Sequence, residues 1–509
     1  MIDTSKLMAS QLYKQLTQDQ RAYLDRAREA SLLTIPQLYP PEGANPDTKY
    51  PTPYQSLGAK GVNNLANKIV LSLFPPSTAF FKLGLSPADM MALGKAEGEV
   101  KQAMGILESS IVNEMEVSSL RPKLVQLLKE LIVGGSSVIY IPETEQPEVF
   151  HLSQFGVKRD KKGNVIRMAI TQQVAFPTLA KEVQNQLPKA DISEDIQSGK
   201  KTLTMYTAIV KVAKDTYEVW QEIMNTRIKG TDGTYTKDSL PYVFVPFVDS
   251  GEDYGRSYVE DFIGDLQSYE GLRQAILEGA AESARILYVL KPNATVSIKQ
   301  LKNAKSGDVI MGNPEDISTI QNDKRLDMSV TQREAENLKQ DIAITFLLDS
   351  AVRRDAERVT AAEIRQVSQE LEVALGGIYS TLANTLQTPL VKLYMQRLVI
   401  QKKINNVLKD SLKLEITTGA AALGRGTDFN VLSTFVSTLT QIAAQPAVAQ
   451  FVNMPELIKR LAYSLDINIA SLIISEEERQ AQAAAQQEQQ MEQQVAPEVI
   501  KGAMNAAQE

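Results

Sequence analysis

"FLLDSAVRRDAERVTAAEIRQVSQELEVALGGIYSTLANTLQTPL", residues 346–390, changes character twice within one run. After an apolar start, Arg353, Arg354 and Arg358 fall within six positions, in a segment that holds neither Gly nor Pro. Helical spacing then resumes through Ile364, Val367, Leu371, Leu375, Ile378, Leu382 and Leu386. Thr360 and Glu363 have the spacing of a capping box, in which each side chain satisfies the other's free backbone N–H, so a helix is predicted to start at Thr360. Continued past Pro389 to about residue 400, that helix would be roughly 60 Å long at its usual rise per residue. Gly376, Gly377 and Pro389 are its natural kink points. The preceding run, "TQREAENLKQDIAITFLL", is also helical in pattern. The arginines therefore occupy a tight connection between two helices. Asp355 and Glu357 alternate with them, and on spacing alone a salt-bridged surface loop is the simpler account.

Outward from this stretch the pattern is mixed. Residues 5–33 carry Leu7, Leu12, Leu16, Tyr23 and Ala27 near helical spacing, and prolines then punctuate an extended arm over 36–53. Helices are predicted at 56–74, at 96–117 and from Leu120 to a Gly134-Gly135 break, followed by a short strand. "FGVKRDKKGNVIRMAI" is a hairpin turning at Lys162-Gly163-Asn164, and a helix is predicted after Pro177, between about 169 and 187. Residues 198–248 form a β-rich module with Asp232-Gly233 as a turn signal and Trp220 in an alternating strand. Ser257 and Glu260 make a second capping box, with Phe262, Leu266, Tyr269, Leu272 and Ile276 on one helical face. Residues 286–320 alternate and turn as strands do, 428–475 are helical in pattern, and from 476 the chain is rich in Gln, Ala and Glu with little to bury.

The totals exclude more than they select. A chain of 509 residues is too long for a single core. Its net charge of −7 argues against a general polyanion-coating protein without excluding local contact with DNA. With no cysteine and one histidine, disulfides, thiolate zinc sites, cysteine nucleophiles and multi-histidine metal sites are excluded. The N-terminus has no basic-then-apolar leader and the longest apolar run ends at Pro75-Pro76, so a soluble protein made in the cytoplasm is expected, with no membrane partner. "SGKKT" at 198–202 lacks the glycine spacing of a phosphate-binding loop, and no metalloprotease or nucleophile-elbow motif occurs. No cofactor, metal or catalytic residue is expected. His151 is read as structural and the Lys161-Lys162 pair as a solvated hairpin tip.

Four stretches together resemble a known family: "YPTPYQSLGAKGVNNLANKIVLSLFP" (50–75), "LLKELIVGGSSVIYIPE" (127–143), "YGRSYVEDFIGDLQSYEGLRQAI" (254–276) and the opening 346–390. They are similar to the portal, or head-to-tail connector, proteins of short-tailed phages of the autographivirus kind. The resemblance runs in order over roughly residues 5–475, and "ERVTA.EIR" and "ELE..LGG.YS" are its most specific parts. It implies a mainly α fold with α+β parts, built as wing, stem, clip and crown, in a ring of about twelve subunits around an axial channel for double-stranded phage DNA at one capsid vertex of the virion. On that pattern the chain divides into an N-terminal wing region (1–165), a first stem helix region (166–197), an α/β clip (198–248), a second stem helix (249–285), wing strands (286–330), a channel loop flanked by helices (331–400), a helical crown (401–475) and a flexible tail (476–509). Implied partners are the terminase large subunit, tail adaptor and tail tube proteins, and the major capsid, scaffolding and internal core proteins. Arg353, Arg354 and Arg358 would face the channel. Trp220, Asp232, Gly233 and Tyr235 would lie where terminase docks. A tail-associated hydrolase, which needs an exposed acidic pair in a cleft, and a virion structural protein that never surrounds DNA are the competing readings.

Overall fold

A computed structural model describes residues 4–401 apart from 5–6, 45–46, 77–79, 86–96, 284–286, 306, 321–324 and 349–360, together with 414–417 and residue 437. The described part mixes helix and sheet. The first helical pattern is two helices rather than one, α1 (Ala9–Thr17) and α2 (Arg21–Leu32). The break falls at Gln20, whose buried side-chain amide donates to the carbonyls of Leu152 and Phe155, an attachment that fixes the chain's direction there. After the arm comes α3 (Leu57–Leu73), which is apolar on nearly every side and accordingly buried. It is followed by β1 (Lys82–Leu85), α4 (Glu97–Val117) and α5 (Leu120–Gly134). Gly135 ends α5 at φ +77, where a Cβ would stand 2.5 Å from the Gly255 carbonyl oxygen, so both the conformation and the space demand glycine.

The strands follow. β2 (Ser136–Tyr140) pairs with β3 (Glu148–Phe150). β4 (Phe155–Arg159) and β5 (Val165–Val174) form the expected hairpin, turning through Gly163 at φ +80. The helix expected between 169 and 187 is not there. Residues up to Val174 continue β5, and only two four-residue helices, α6 (Lys181–Gln184) and α7 (Glu194–Gln197), interrupt the excursion that follows. The reason is pairing: β5 has a full-length partner in β6 (Leu203–Ala213), which supplies the ladder that a helix would have had to supply internally. β7 (Thr216–Ile223), β8 (Thr226–Arg227) and β9 (Gly233–Thr236) complete a six-stranded antiparallel sheet of order β4-β5-β6-β7-β8, with β9 on β7. Asp232-Gly233 is not the hairpin turn it resembles, because Gly233 already lies in β9. The tight turn is Met224-Asn225, both at positive φ, which carries no glycine signal at all. β10 (Tyr242–Pro246) leaves this sheet and joins β2 on the side opposite β3.

At Ser257, half of the capping box forms. Its hydroxyl accepts from Glu260 N at 3.0 Å, while the Glu260 carboxylate lies 3.4 Å from Arg26 and 3.7 Å from Arg256. α8 (Ile263–Ser283) buries Leu266 and Tyr269. Of the strands expected at 286–320, only the ends are strands, β11 (Leu287–Leu290) and β12 (Ile317–Ile320), with α9 (Ile298–Asn303) between them. α10 (Arg325–Thr345) leads to the arginine segment. Beyond it lie α11 (Ala361–Leu375), α12 (Gly377–Leu382), a π-helical turn over Ala383–Gln387 and α13 (Thr388–Ile400). β13 (Leu414–Thr417) pairs with β1.

One continuous core joins α2–α5, β2, β10, α10, α11 and α13, and two smaller cores lie beside it. Within the main core, Glu130 on α5 is buried, and its Oε2 has no hydrogen-bond partner among the described residues. Burial pushes its carboxyl up to about 8. His151 lies beside it, with Nε2 3.7 Å from Glu130 Oε2 and donating to Leu38 O at 2.5 Å. Its ring lies tilted against Tyr39, the centroids 4.1 Å apart, and burial first, with Arg28 adding to it, holds the imidazole down near 4. The histidine is thus a neutral packing residue.

These two groups oppose each other in the pH dependence of stability. The folded state holds Glu130's proton from its ordinary 4.5 up to about 8, so that contribution is lost as pH rises. The unfolded state holds the His151 proton between about 4 and 6.5, so that contribution is gained as pH rises. The two cancel between 4.5 and 6.5, and above 6.5 only the loss remains. We expect denaturant-derived stability to fall by about 2 kcal/mol between pH 6.5 and 8. In Glu130→Gln that fall disappears, and stability instead rises from pH 4 to 6.5. A Gln variant that keeps the fall would assign it elsewhere.

Candidate functional site: the mounting of the arginine segment

The side chains that hold the chain on either side of residues 349–360 come from α3. At Gly61 a Cβ would lie 2.5 Å from Phe346 Cγ, so the absence of a side chain there lets the fully buried Phe346 ring rest on the backbone of α3. Phe346 is the cap of α10. Leu347 follows at φ +54, with Leu347 N bonded to Ile344 O at 3.0 Å and Leu348 N to Ala343 O at 2.8 Å. This is the double reversal that ends many helices, with leucine where glycine is usual. A leucine in that conformation costs on the order of 1 kcal/mol. Two side chains of α3 offset it: Asn64 Nδ2 donates to the carbonyls of Phe346 (3.0 Å) and Leu347 (2.9 Å), and Lys68 Nζ donates to Leu347 O (2.8 Å). The open carbonyls at the end of α10 are thus met by an amide and an ammonium from another helix.

The far side of the segment is fastened to the same helix. Lys68 Nζ lies 3.7 Å from Glu370 on α11, and Ser72 Oγ shares hydrogen bonds with Ser368 Oγ (2.5 Å) and Tyr379 OH (2.8 Å). Val367 and Leu371 bury the inner face of α11. Lys68 is itself buried. Desolvation lowers its pKa, and Glu370 offsets part of that. Farther along, Gly376 at φ +54, ψ −128 separates α11 from α12, and Pro389 sits in the first turn of α13 just after the π-helical turn. Gln387 donates to Leu73 O at 2.5 Å. Arg397, almost fully buried, pairs with Glu114 at 2.9 Å and donates to the carbonyls of Pro142, Thr144 and Glu145.

Arg353, Arg354 and Arg358 lie outside the described residues, as do Thr360, nearly all of 428–475, and 476–509. Trp220 is 0% exposed. It belongs to the face of Ala169, Ala208 and Trp220 that α1 covers with Leu12 and Leu16, and Arg227 stacks on its ring at 4.7 Å. It therefore offers no surface to a partner within this chain. Glu222 on the same face accepts from Ala9 N (2.6 Å) and Ser10 Oγ (2.8 Å), which holds the start of α1 down. Asp232 is exposed and paired with Arg227 Nε at 2.7 Å, while Tyr235 is half-buried with its ring over Gly233. Sequence reasoning missed Gly61, Asn64, Lys68 and Phe346. The available signal was polar: Asn64 and Lys68 are among three asparagines and two lysines on a helix otherwise apolar on nearly every side.

Among the described residues no group of side chains is arranged to hold a metal ion, and no helix is long and apolar enough to cross a membrane. Residues 7–469 match the family described as bacteriophage head to tail connecting protein. The chain is 35% identical to the portal protein of Enterobacteria phage T3 over 93% of its length and 89% of the relative's. It is 34% identical to the portal protein of Escherichia phage T7 over the same shares, and 28% identical to that of Enterobacteria phage SP6 over 86% and 84%. The chain belongs to the portal, or head-to-tail connecting, protein family of short-tailed bacteriophages.

The mounting is open to a direct test, because the segment it holds contains three tryptic sites. Asn64→Ala removes one donor from each of two carbonyls at the end of α10, a loss of roughly 1–2 kcal/mol from the local structure. We expect native-state trypsin cleavage after Arg353, Arg354 or Arg358 to accelerate about tenfold while cleavage elsewhere stays as in the wild type. Equal rates in the two proteins would mean that Asn64 does not hold the segment.

Proposed function

We propose that this portal-family chain assembles into a ring of about twelve copies at the head–tail junction of a virion, around an axial channel through which double-stranded DNA enters during packaging and leaves at ejection. The observation that carries the reading is the fastening of the chain on both sides of residues 349–360. Both neighbours of an arginine-rich segment are held by one buried helix, through Asn64, Lys68 and Ser72. Such fastening costs two buried polar groups and a left-handed leucine, and it has a use if the segment must keep its position while something moves past it.

In a ring the segment recurs once per copy. Twelve copies bring about 36 guanidinium groups to one level, each able to meet a phosphate without reading sequence. The chain's net charge of −7 sets the opposing term, since a mostly acidic wall repels DNA and confines attraction to the narrow arginine level. Asp355 and Glu357 temper that attraction, which suits a conduit along which many base pairs must slide. The terminase large subunit, and later the tail adaptor and tail tube proteins, dock on the module at 198–248, whose exposed Asp232 and half-buried Tyr235 stand over a framework stiffened by Trp220. The segments on either side serve as stem and wing, 401–475 as the crown, and 476–509 as a flexible tail toward the internal core proteins; the major capsid and scaffolding proteins surround the ring.

Two measurements test this. Electron-microscopic top views of the purified protein should present closed rings with a central opening; monomers at every concentration, with the fold intact, exclude the reading. The variant with Arg353, Arg354 and Arg358 all changed to Ala should form rings with a melting temperature within a few degrees of wild type, because exposed charges contribute little to stability. Its packaged DNA should leak, and raised salt should bring wild-type retention down toward the variant's. Lost rings with normal retention in the particles that do form would mark the arginines as salt-bridge partners instead.

A further inference from the structure

The unit from β11 to β12 is built unlike the rest of the chain. Among its described side chains over 289–318, Val296 alone is buried. What holds the unit is mostly polar and exposed: Asp316 Oδ2 accepts from Thr295 N and Oγ1 at 3.1 Å each, and Asn313 N donates to Thr295 Oγ1 at 3.1 Å. Hydrogen bonds in contact with water contribute little net stability, and a two-stranded ladder is marginal on its own. The same unit exposes its apolar side chains: Val309 at 96%, Met311 at 88%, Ile298 at 72% and Val289 at 41%. Elsewhere among the described residues, Tyr54 apart, exposed large apolar residues stand on helices whose other faces are in a core; here they outnumber the buried ones.

Charge selects what covers this surface. The unit Leu287–Ile320 holds Lys291, Lys299, Lys302 and Lys305 against Asp308, Glu315 and Asp316, a net +1 inside a chain of −7, which leaves −8 on the remainder; its four lysines are all exposed and lie in a run, 291–305, that contains no acidic residue. An exposed run of lysines beside exposed apolar side chains, on an otherwise acidic chain, complements another copy of that chain. Closing a ring also requires each copy to present two different surfaces, one donating and one receiving.

We infer that the unit from Leu287 to Ile320 is a subunit-joining element, whose exposed Ile298, Val309 and Met311 and lysine rim seat on an acidic surface of the neighbouring copy. This rests on the ring reading and names one of the two surfaces that reading requires. Seating supplies the apolar burial that the unit lacks alone, so the unit becomes fully ordered only in the assembly.

The absence of cysteine makes the test clean, because Met311→Cys carries the only thiol in the protein. Maleimide labelling of this variant is followed at concentrations below and within the range where wild type assembles. We expect labelling of the introduced thiol to slow by about tenfold or more on assembly. In parallel, Val309→Asp combined with Met311→Asp should shift assembly to at least about tenfold higher concentration, with an unchanged circular-dichroism spectrum. If rings form and the introduced thiol labels equally fast inside them, the inference is overturned and the ring reading stands. If the thiol becomes protected only when other virion proteins are added, the occupant is one of those and the inference is likewise overturned. If wild type never assembles, both fall together.

Discussion

The packing of Phe346 on the bare backbone of Gly61 is the contact from which much of the molecule's arrangement follows. It brings the end of α10 close enough to α3 for Asn64 and Lys68 to reach its last carbonyls. The same approach lets Lys68 face Glu370 and Ser72 meet Ser368, so two helices far apart in sequence are registered against one turn-by-turn template. A side chain at position 61 would push Phe346 outward and lengthen every one of these hydrogen bonds together. That is why α3 combines glycine and polar residues with an otherwise apolar surface: the apolar residues supply the burial, and the exceptions supply the register.

The same division recurs across the structure. Buried polar side chains here tie one element to another. Gln20 ties the α1–α2 junction to the carbonyls of Leu152 and Phe155, Glu222 holds the start of α1, Arg159 gathers Asp249 with the carbonyls of Gly163 and Glu252, and Arg397 joins α13 to Glu114 and the loop at 142–145. Buried charges of this kind add little net stability compared with apolar side chains of the same volume, because desolvation offsets most of the attraction. Removing one partner, however, strands the other in a medium that cannot solvate it. Such ties penalise alternative packings and so fix one arrangement of the elements.

How much of this was legible in the sequence depended on the range of the interaction. Helices that bury one broad face, such as α3, α5 and α10, were readable from periodicity, and so was the β4–β5 hairpin, whose turn chemistry is local. The stretch at 169–187 misled because Pro177 and the residues after it look like a helix start, whereas β5 is decided by a partner, β6, some thirty residues later. Asp232-Gly233 misled in the opposite way. The dipeptide is a strong local signal, but the actual turn at Met224-Asn225 is imposed by the register of β7 with β8. Trp220 was correctly placed in a strand, but its burial depends on α1 crossing from the other end of the chain. The mounting of the arginine segment was the least legible part, since Asn64 and Lys68 are separated from Leu347 by 283 and 279 positions, and nothing in a single sequence links them.

Leu347 shows what this arrangement achieves physically. Glycine at that position would relieve the left-handed conformation, yet it would also leave the next residues free to sample many directions. Leucine keeps the side-chain bulk that restricts the chain, and the strain is held by three hydrogen bonds from α3 rather than released. The chain therefore enters the arginine segment from a fixed point and along a fixed heading. The scaffold thus fixes where the chain leaves α10 and where α11 packs, both against one buried helix.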